Sequence, residues 1–445
     1  MSARTGSKTS SAVKATGSFR FIAAGIIALF MMPGPAAAAG TLRLDELIAE
    51  ALGNSPEIRM TAARTEAARH RISQAESLED PMIMFGYQNE GFDSITYSEM
   101  PDSQLMFSAS QMFPYPGKRA LKGEMAKQET ASLKALTANA RLTTVRVVTE
   151  LFYDLFFAYK NLDIIGDRTK LWDRLEDAAS ARYGSGMGTL QEVVMAQTEK
   201  YMLLETETMQ RQKITSVEAM LHNAVGRAEN APLGVPVEPA GKEPAMTADE
   251  AIIFATGHSP VIAGKNRMIA AAEAKIAMAE KEYYPDFTVT GTVAQKGSSE
   301  FEDMWSLTTS LNIPLYYRTK QREAVSEAKA QRIEAEQELT AAKLMLTAAL
   351  RDNYAMAESS ERLMELYKTG LIPKTYQDFE LALNGYVNGK TEAFTVISRL
   401  KNLIDFELTY WEKFTEKGKA VARVEALLGT ETETETQPTA TENMQ

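Results

Sequence analysis

The clearest pattern in the chain is a strict alternation between residues 286 and 313. Phe287, Val289, Gly291 and Val293 fall on one side, and Asp286, Thr288, Thr290 and Thr292 on the other. Trp305, Leu307, Leu311 and Ile313 likewise oppose Ser306, Thr308, Ser310 and Asn312. A period of two predicts strands, and this stretch reads as a hairpin. A second, noisier hairpin is predicted over 82–113. There Ile83, Phe85 and Tyr87 share a face, as do Leu105, Phe107 and Ala109, with Ser108 and Ser110 turned away.

Everywhere else the period is helical. Leu142, Val145, Val148, Phe152, Leu155, Tyr159 and Leu162 recur at spacings of three and four. Long helices are predicted over about 118–182 and 320–384, the second interrupted at Gly370–Pro373 because proline cannot continue the ladder. Return helices follow over 190–225 and 392–428. Shorter helices precede each hairpin, at 43–52 and 56–78, then at 247–255 and 260–282. Ser55-Pro56 and Ser259-Pro260 mark two of these starts, with serine as cap and proline as first helical residue.

The two sets of elements are one plan written twice. Asp45-Glu46 recurs as Asp249-Glu250, Ser55-Pro56 as Ser259-Pro260, and Pro81 as Pro285, each 204 positions on. Phe113-Pro114 recurs as Ile313-Pro314, and Tyr183-x-x-Gly186 as Tyr386-x-x-Gly389. This gives a first repeat at 40–229, a linker at 230–246 and a second repeat at 247–429. A Thr/Glu-rich tail at 430–445 has no apolar period and reads as disordered.

Lengths then constrain the architecture. Each long segment, of about 65 residues, spans on the order of 100 Å. The return helix and the helix before the hairpin, laid end to end, nearly match it. Each repeat therefore predicts one continuous rod beside two stacked shorter helices, with a hairpin at one end and the Tyr-x-x-Gly turn at the other. Strands of about ten residues with one apolar and one small polar face suit a membrane barrel with a wet lumen. Phe113, Tyr115, Tyr283, Tyr284, Tyr316 and Tyr317 gather at the strand ends as an interfacial belt would. Four strands cannot close a barrel, and the smallest bacterial barrels have about eight. An oligomer is required, and this arithmetic leaves dimer and trimer open.

Composition adds the compartment. Arg4, Lys8, Lys14 and Arg20, the short apolar run Phe21 to Met32, and the small residues Ala36 to Ala39 read as a signal peptide over 1–39. The run is too short to span a bilayer, which needs about 20 residues. The 445-residue chain has no cysteine, so disulfides, thiolate metal sites and cysteine nucleophiles are excluded. Its formal charge of −11 grows more negative once the basic leader is removed, which argues against nucleic-acid binding.

Catalytic chemistry finds no foothold. His70, His222 and His258 lie on separate helices without metal-ligand spacing and read as surface residues. Gly184-Ser185-Gly186-Met187-Gly188 has glycines like a phosphate loop, but no lysine follows and no strand precedes it. Met187, Met195, Met202 and Met209 form one helical stripe, whose commoner use is core packing rather than metal binding. No enzyme, cofactor or resident metal is expected.

The duplicated plan, the Pro-bounded hairpins, the Tyr-x-x-Gly turns, the run Phe113 to Arg119 and the Leu371-Ile372-Pro373 break resemble the outer-membrane efflux protein (TolC-like) family. The resemblance covers about residues 42 to 428 and leans toward its heavy-metal branch. It implies a mainly α fold with a transmembrane β part: a homotrimer sharing a twelve-stranded barrel in outer-membrane lipid, above a long α-helical periplasmic barrel. It also implies two partners, a periplasmic adaptor and an inner-membrane resistance-nodulation-division pump. Carried over, Tyr183, Gly186, Gly188, Tyr386, Gly389 and Lys390 would form the periplasmic tips that dock the adaptor and narrow the duct. Many relatives place acidic residues six and nine positions after the tip glycine. Here those positions hold Glu192 and Met195, then Thr395 and Ser398, so Glu192 and Glu392 are the candidate gate charges. The implied function is a passive efflux duct for metal ions or drugs. The alternative is a soluble periplasmic coiled-coil adaptor or scaffold.

Overall fold

A computed structural model describes residues 40–228, 231 and 233–429. The expected signal peptide, positions 229, 230 and 232 of the repeat boundary and linker, and the acidic tail lie outside the described residues. The first repeat comprises β1 (Thr41–Leu42), α1 (Leu44–Asn54), α2 (Pro56–Glu76), β2 (Met82–Gln88), β3 (Gln104–Phe113), α3 (Lys118–Gly184) and α4 (Leu190–Val225). After β4 (Val235–Pro236) the second runs α5 (Ala248–His258), α6 (Pro260–Lys281), β5 (Asp286–Gln295), β6 (Met304–Asn312), α7 (Gln321–Leu366), a π-helical turn (Tyr367–Leu371), α8 (Ile372–Val387) and α9 (Ala393–Leu428). No described helix is long and apolar enough to cross a membrane.

The long rods are as the pattern predicts. Helix α3 has 67 residues, about 100 Å, and both α2 and α4 pack along it. The predicted stripe is its inner face: Val148, Phe152 and Leu155 are buried against α1 and α4. The second rod is interrupted next to Pro373 as expected, but by a π-helical turn rather than a break in the rod. The Tyr367–Leu371 turn widens so that the Ile372 N–H donates to the Tyr367 carbonyl, and the helix runs on through α8. A π-bulge accommodates a residue that lacks an N–H and crowds the preceding turn.

The caps also differ from expectation. Pro56 and Pro260 open their helices, but the Ser55 and Ser259 side chains make no cap hydrogen bond. Both serines are buried at the α1–α2 and α5–α6 corners, where their N–H groups donate to the carbonyls of Ala51 and Ala255. A true capping box sits one helix earlier, where the Thr247 hydroxyl accepts from the Glu250 N–H and the Glu250 carboxylate accepts from the Thr247 N–H. The linker is also tied down, because β4 pairs in parallel with β1.

The four long strands form one antiparallel sheet in the order β2-β3-β5-β6. Its register sorts the two faces. Phe85, Phe107, Val293 and Trp305 stand opposite one another, as do Ile83, Ala109, Gly291 and Leu307. The next row belongs to the other face and holds Met84, Ser108, Thr292 and Ser306, with Ser108 and Thr292 sharing a hydrogen bond of 2.9 Å. One face is therefore apolar and the other is a ladder rich in serine and threonine. The apolar face is bare: Trp305 is 79% exposed and Phe85 73%. Strands β2 and β6 are edges, each with one neighbour.

Where the first hairpin leaves the sheet it meets the segment that leads into the second. Phe113 stacks on Phe287, and Tyr115 on Tyr284 at 4.5 Å between centroids. The Asp286 carboxylate accepts from the Tyr115 N–H at 2.7 Å. Lys118, buried at the start of α3, donates to Asp286 at 2.9 Å and Glu282 at 3.3 Å. Stripping both carboxylates would leave a buried, unpaired ammonium, the costly case. Lower down, Lys419–Asp154 and Arg423–Glu150, each 2.6 Å, tie α9 to α3 across the repeats.

The helices approach closely at Gly418 in α9, where the Tyr153 ring occupies the space a methyl group would need. Gly166 in α3 has open space at the same position. Glycine to alanine inside a helix ordinarily gains about 1 kcal/mol. Gly166→Ala is expected to raise the thermal midpoint of the detergent-extracted protein, followed by circular dichroism. Gly418→Ala is expected to lower it, because displacing Tyr153 costs roughly 1–3 kcal/mol. A rise in both would contradict this packing.

Candidate functional site

The end of the rods opposite the sheet holds the predicted tips. Helices α3 and α8 each stop at a glycine in the left-handed region, Gly186 with φ 73° and Gly389 with φ 72°. The Met187 N–H donates to the Arg182 carbonyl at 2.9 Å, and the Lys390 N–H to the Gly385 carbonyl at 2.8 Å. These are the same closure, which satisfies a last-turn carbonyl and needs a residue without a β-carbon penalty. Gly188 serves a different purpose. A β-carbon there would lie 3.0 Å from Arg182 Cβ and 3.1 Å from Glu192 Oε2, so the glycine permits the close turn into α4.

Beneath the turns, four helix ends share one core. Trp172 and Leu175 of α3, Val193 and Ala196 of α4, Phe379 and Leu383 of α8, and Val396, Ile397 and Leu400 of α9 are buried together. Both hairpins of the chain are thus packed into a single tip.

The repeats are not equivalent here. Tyr183 is 49% exposed, whereas its counterpart Tyr386 is 1% exposed and belongs to the core. The Tyr386 hydroxyl donates to Glu192 Oε2 at 2.7 Å. Burial is the main cause that pushes this phenol well above its ordinary range, and the Glu192 carboxylate adds to it while Arg182 opposes. The hydroxyl therefore stays a donor at any physiological pH. The Arg182 guanidinium lies 4.8 Å from the Tyr386 ring centre and donates to the carbonyls of Tyr386 at 2.6 Å and Met187 at 2.8 Å. Arg182, Tyr386 and Glu192 form a staple joining the first tip to the second.

The structure brings Gly186, Gly188, Gly389 and Glu192 together at this end, with Tyr183 and Lys390 exposed on it. Glu392 is the exposed residue just before α9 and makes no side-chain cap bond. Glu192 and Glu392 are therefore unlike, the first engaged by Tyr386 and the second open to solvent. The sequence alone does not single out Arg182. Its one signal was a mismatch between the repeats, since the position before the tip tyrosine holds arginine in one copy and Gly385 in the other.

Two further positions differ from the sequence expectation. His222 is buried in α4 at 6% exposure rather than on the surface, because it falls on the helix face that carries Leu221 and Val225 into the core. The methionine stripe is not core. Met187, Met202 and Met209 are 71%, 48% and 54% exposed, and only Met195 packs partly against the tip core. The inner face of α4 is supplied instead by Val193, Ala196, Ile214 and Val217. Beside the stripe, Leu190 and Val194 of α4 and Phe394 and Ile397 of α9 line an open cleft flanked by the 3.0 Å Lys401–Glu199 pair.

Comparison with known proteins gives concordant findings. The sequence model of the family described as outer membrane efflux protein matches residues 47–227 and 255–429. The cobalt-zinc-cadmium resistance protein CzcC of Cupriavidus metallidurans is 22% identical over 405 residues, covering 89% of this chain and 92% of that protein. The outer membrane protein VceC of Vibrio cholerae has a similar structure, with TM-score 0.74 at 19% identity over 87% of this chain and 96% of its own. CusC gives 0.75 at 15% identity, over 87% and 92%. At such identities the structures establish likeness of fold.

The tip staple can be tested without any knowledge of cargo. A hydrogen bond to a charged group contributes about 1.5–3 kcal/mol. Tyr386→Phe is expected to open the tip at least about tenfold more often and to speed trypsin cleavage after Arg182 in proportion. A cleavage rate equal to that of the unaltered protein would show that the bond does not hold the tip.

Proposed function

The chain belongs to the outer membrane efflux protein family, and from that premise we propose that it is the exit duct of a metal-ion export assembly, working as three copies. It is an outer-membrane efflux channel with a large helical portion on the periplasmic side. Membership sets aside the soluble-scaffold reading, and the family is one of channels rather than enzymes.

In this proposal three four-stranded sheets close a twelve-stranded barrel, apolar face to lipid and serine–threonine face to a water-filled lumen. A hydrated ion crosses such a lumen without losing its shell. The helical rods continue the passage through the periplasm to the tips. Conduction is passive, so energy comes from an inner-membrane pump of the resistance-nodulation-division type, reached through a periplasmic adaptor. The adaptor docks at the tips, on Tyr183, Gly186, Gly389 and Lys390, with the apolar cleft between α4 and α9 beside them. Opening has to separate the two hairpins, which means releasing Tyr386 from Glu192 and Arg182 from the Tyr386 carbonyl, along with the Arg174–Glu380 and Lys401–Glu199 pairs that also cross between them. Glu192, once freed, and Glu392 would then place negative charge at the mouth, favouring cations.

The observation that carries the cargo is the end-to-end alignment with a cobalt-zinc-cadmium resistance protein, 89% of one chain against 92% of the other. A strain lacking this chain is expected to lose tolerance to cobalt, zinc or cadmium and to regain it with the intact gene. Equal tolerance of deletion and parent to every metal tried, with loss of tolerance to an organic drug, would replace metal by drug as the cargo and leave the duct standing.

A further inference from the structure

Two loose ends of the sheet suggest how copies recognise each other. Within the chain, the outbound segment of the first hairpin meets the inbound segment of the second, and Lys118 is held there by Asp286 and Glu282. Among the described residues, the inbound segment of the first hairpin, 78–82, and the outbound segment of the second, 313–321, meet no segment of the other hairpin, because they adjoin the two edge strands β2 and β6.

Their residues differ from those of the internal junction in a concerted way. Gln321 opens α7 as Lys118 opens α3, and Leu78 and Met82 stand where the second repeat has Glu282 and Asp286. The buried amide oxygen of Gln321 has no hydrogen-bond partner among the described residues. Charge has moved next door. Exposed Glu79 and Asp80 replace Tyr283 and Tyr284 on the inbound side, and exposed Arg318 and Lys320 lie on the outbound side. None of these four makes an ion pair among the described residues.

We propose that Arg318 and Lys320 pair with Glu79 and Asp80 of a second copy of this chain, forming an ionic latch at the base of the barrel. The latch rests on the oligomeric duct proposed above. When β6 pairs with β2 of the next copy, outbound and inbound segments meet as they do inside the chain, and opposite charges come together. All copies enter the membrane the same way round, so pairing like strands would run them parallel and set like charges side by side. The latch thus selects the β6–β2 contact and fixes its register, where a one-residue slip would turn the polar face to lipid.

The absence of native cysteine makes the test clean. Asp80→Cys and Lys320→Cys are placed in one full-length chain, and membranes are treated with a short bifunctional maleimide. Cross-linked species of two and three copies are expected, while either single substitution gives none. The charge reversals Glu79→Lys with Asp80→Lys should weaken the assembly, and adding Arg318→Glu with Lys320→Glu should restore it. No intermolecular product, or no restoration, in a protein whose native mass still shows several copies would overturn the latch and leave the oligomer intact. A single-copy native mass of the unaltered protein would overturn both.

Discussion

An unpaired peptide group in hydrocarbon costs several kcal/mol, and this sheet has two bare edges. Strand β2 has seven residues and β6 has nine, and each edge leaves about every second N–H and C=O without a partner. That total exceeds anything exposed ion pairs could return, at roughly 0–1 kcal/mol each. The sheet register has already assigned its faces, one apolar and bare, one lined with serine and threonine. A chain with such a sheet can satisfy it in a membrane only by closing against other copies. The rods follow from the same closure. Their core is shared between repeats, since α3 contacts both α6 and α9, so a ring of strands above continues as a ring of helices below.

The opposite end obeys a different balance. The tip core is apolar and continuous across both hairpins, and the polar groups that join the hairpins there include the Arg182–Tyr386–Glu192 staple and the Arg174–Glu380 and Lys401–Glu199 pairs. In the proposed duct, a closure held partly by such hydrogen bonds is one that a docking partner with differential affinity for the open state can displace. The asymmetry of Tyr183 and Tyr386 matters here. Duplication supplied two tyrosines, and only one became part of the lock.

Much of this was legible in the sequence because it is periodic. Strand faces, rods and turns all follow from spacing, and Pro56 and Pro260 mark two helix starts. What was hidden depends on partners distant in sequence. Arg182 meets Tyr386 from about two hundred residues away. The parallel pairing of β1 with β4 involves two short segments with no pattern of their own. Pro373 looked like a break because the sequence does not show that a widened turn can absorb it. The methionine stripe misled for a related reason: its spacing of seven to eight is helical, but spacing does not say which face is inward when Val193, Ala196 and Val217 compete for the core.

Hydrogen–deuterium exchange on the detergent-extracted protein tests the closure most directly. Peptides covering the edge strands, Met82–Gln88 and Met304–Asn312, are compared with those covering Gln104–Phe113 and Asp286–Gln295 inside the sheet. If copies close the barrel, amides of all four strands exchange equally slowly. Rapid exchange confined to β2 and β6, with the inner pair protected, would mean that the edges stay open and that the sheet does not form a shared barrel.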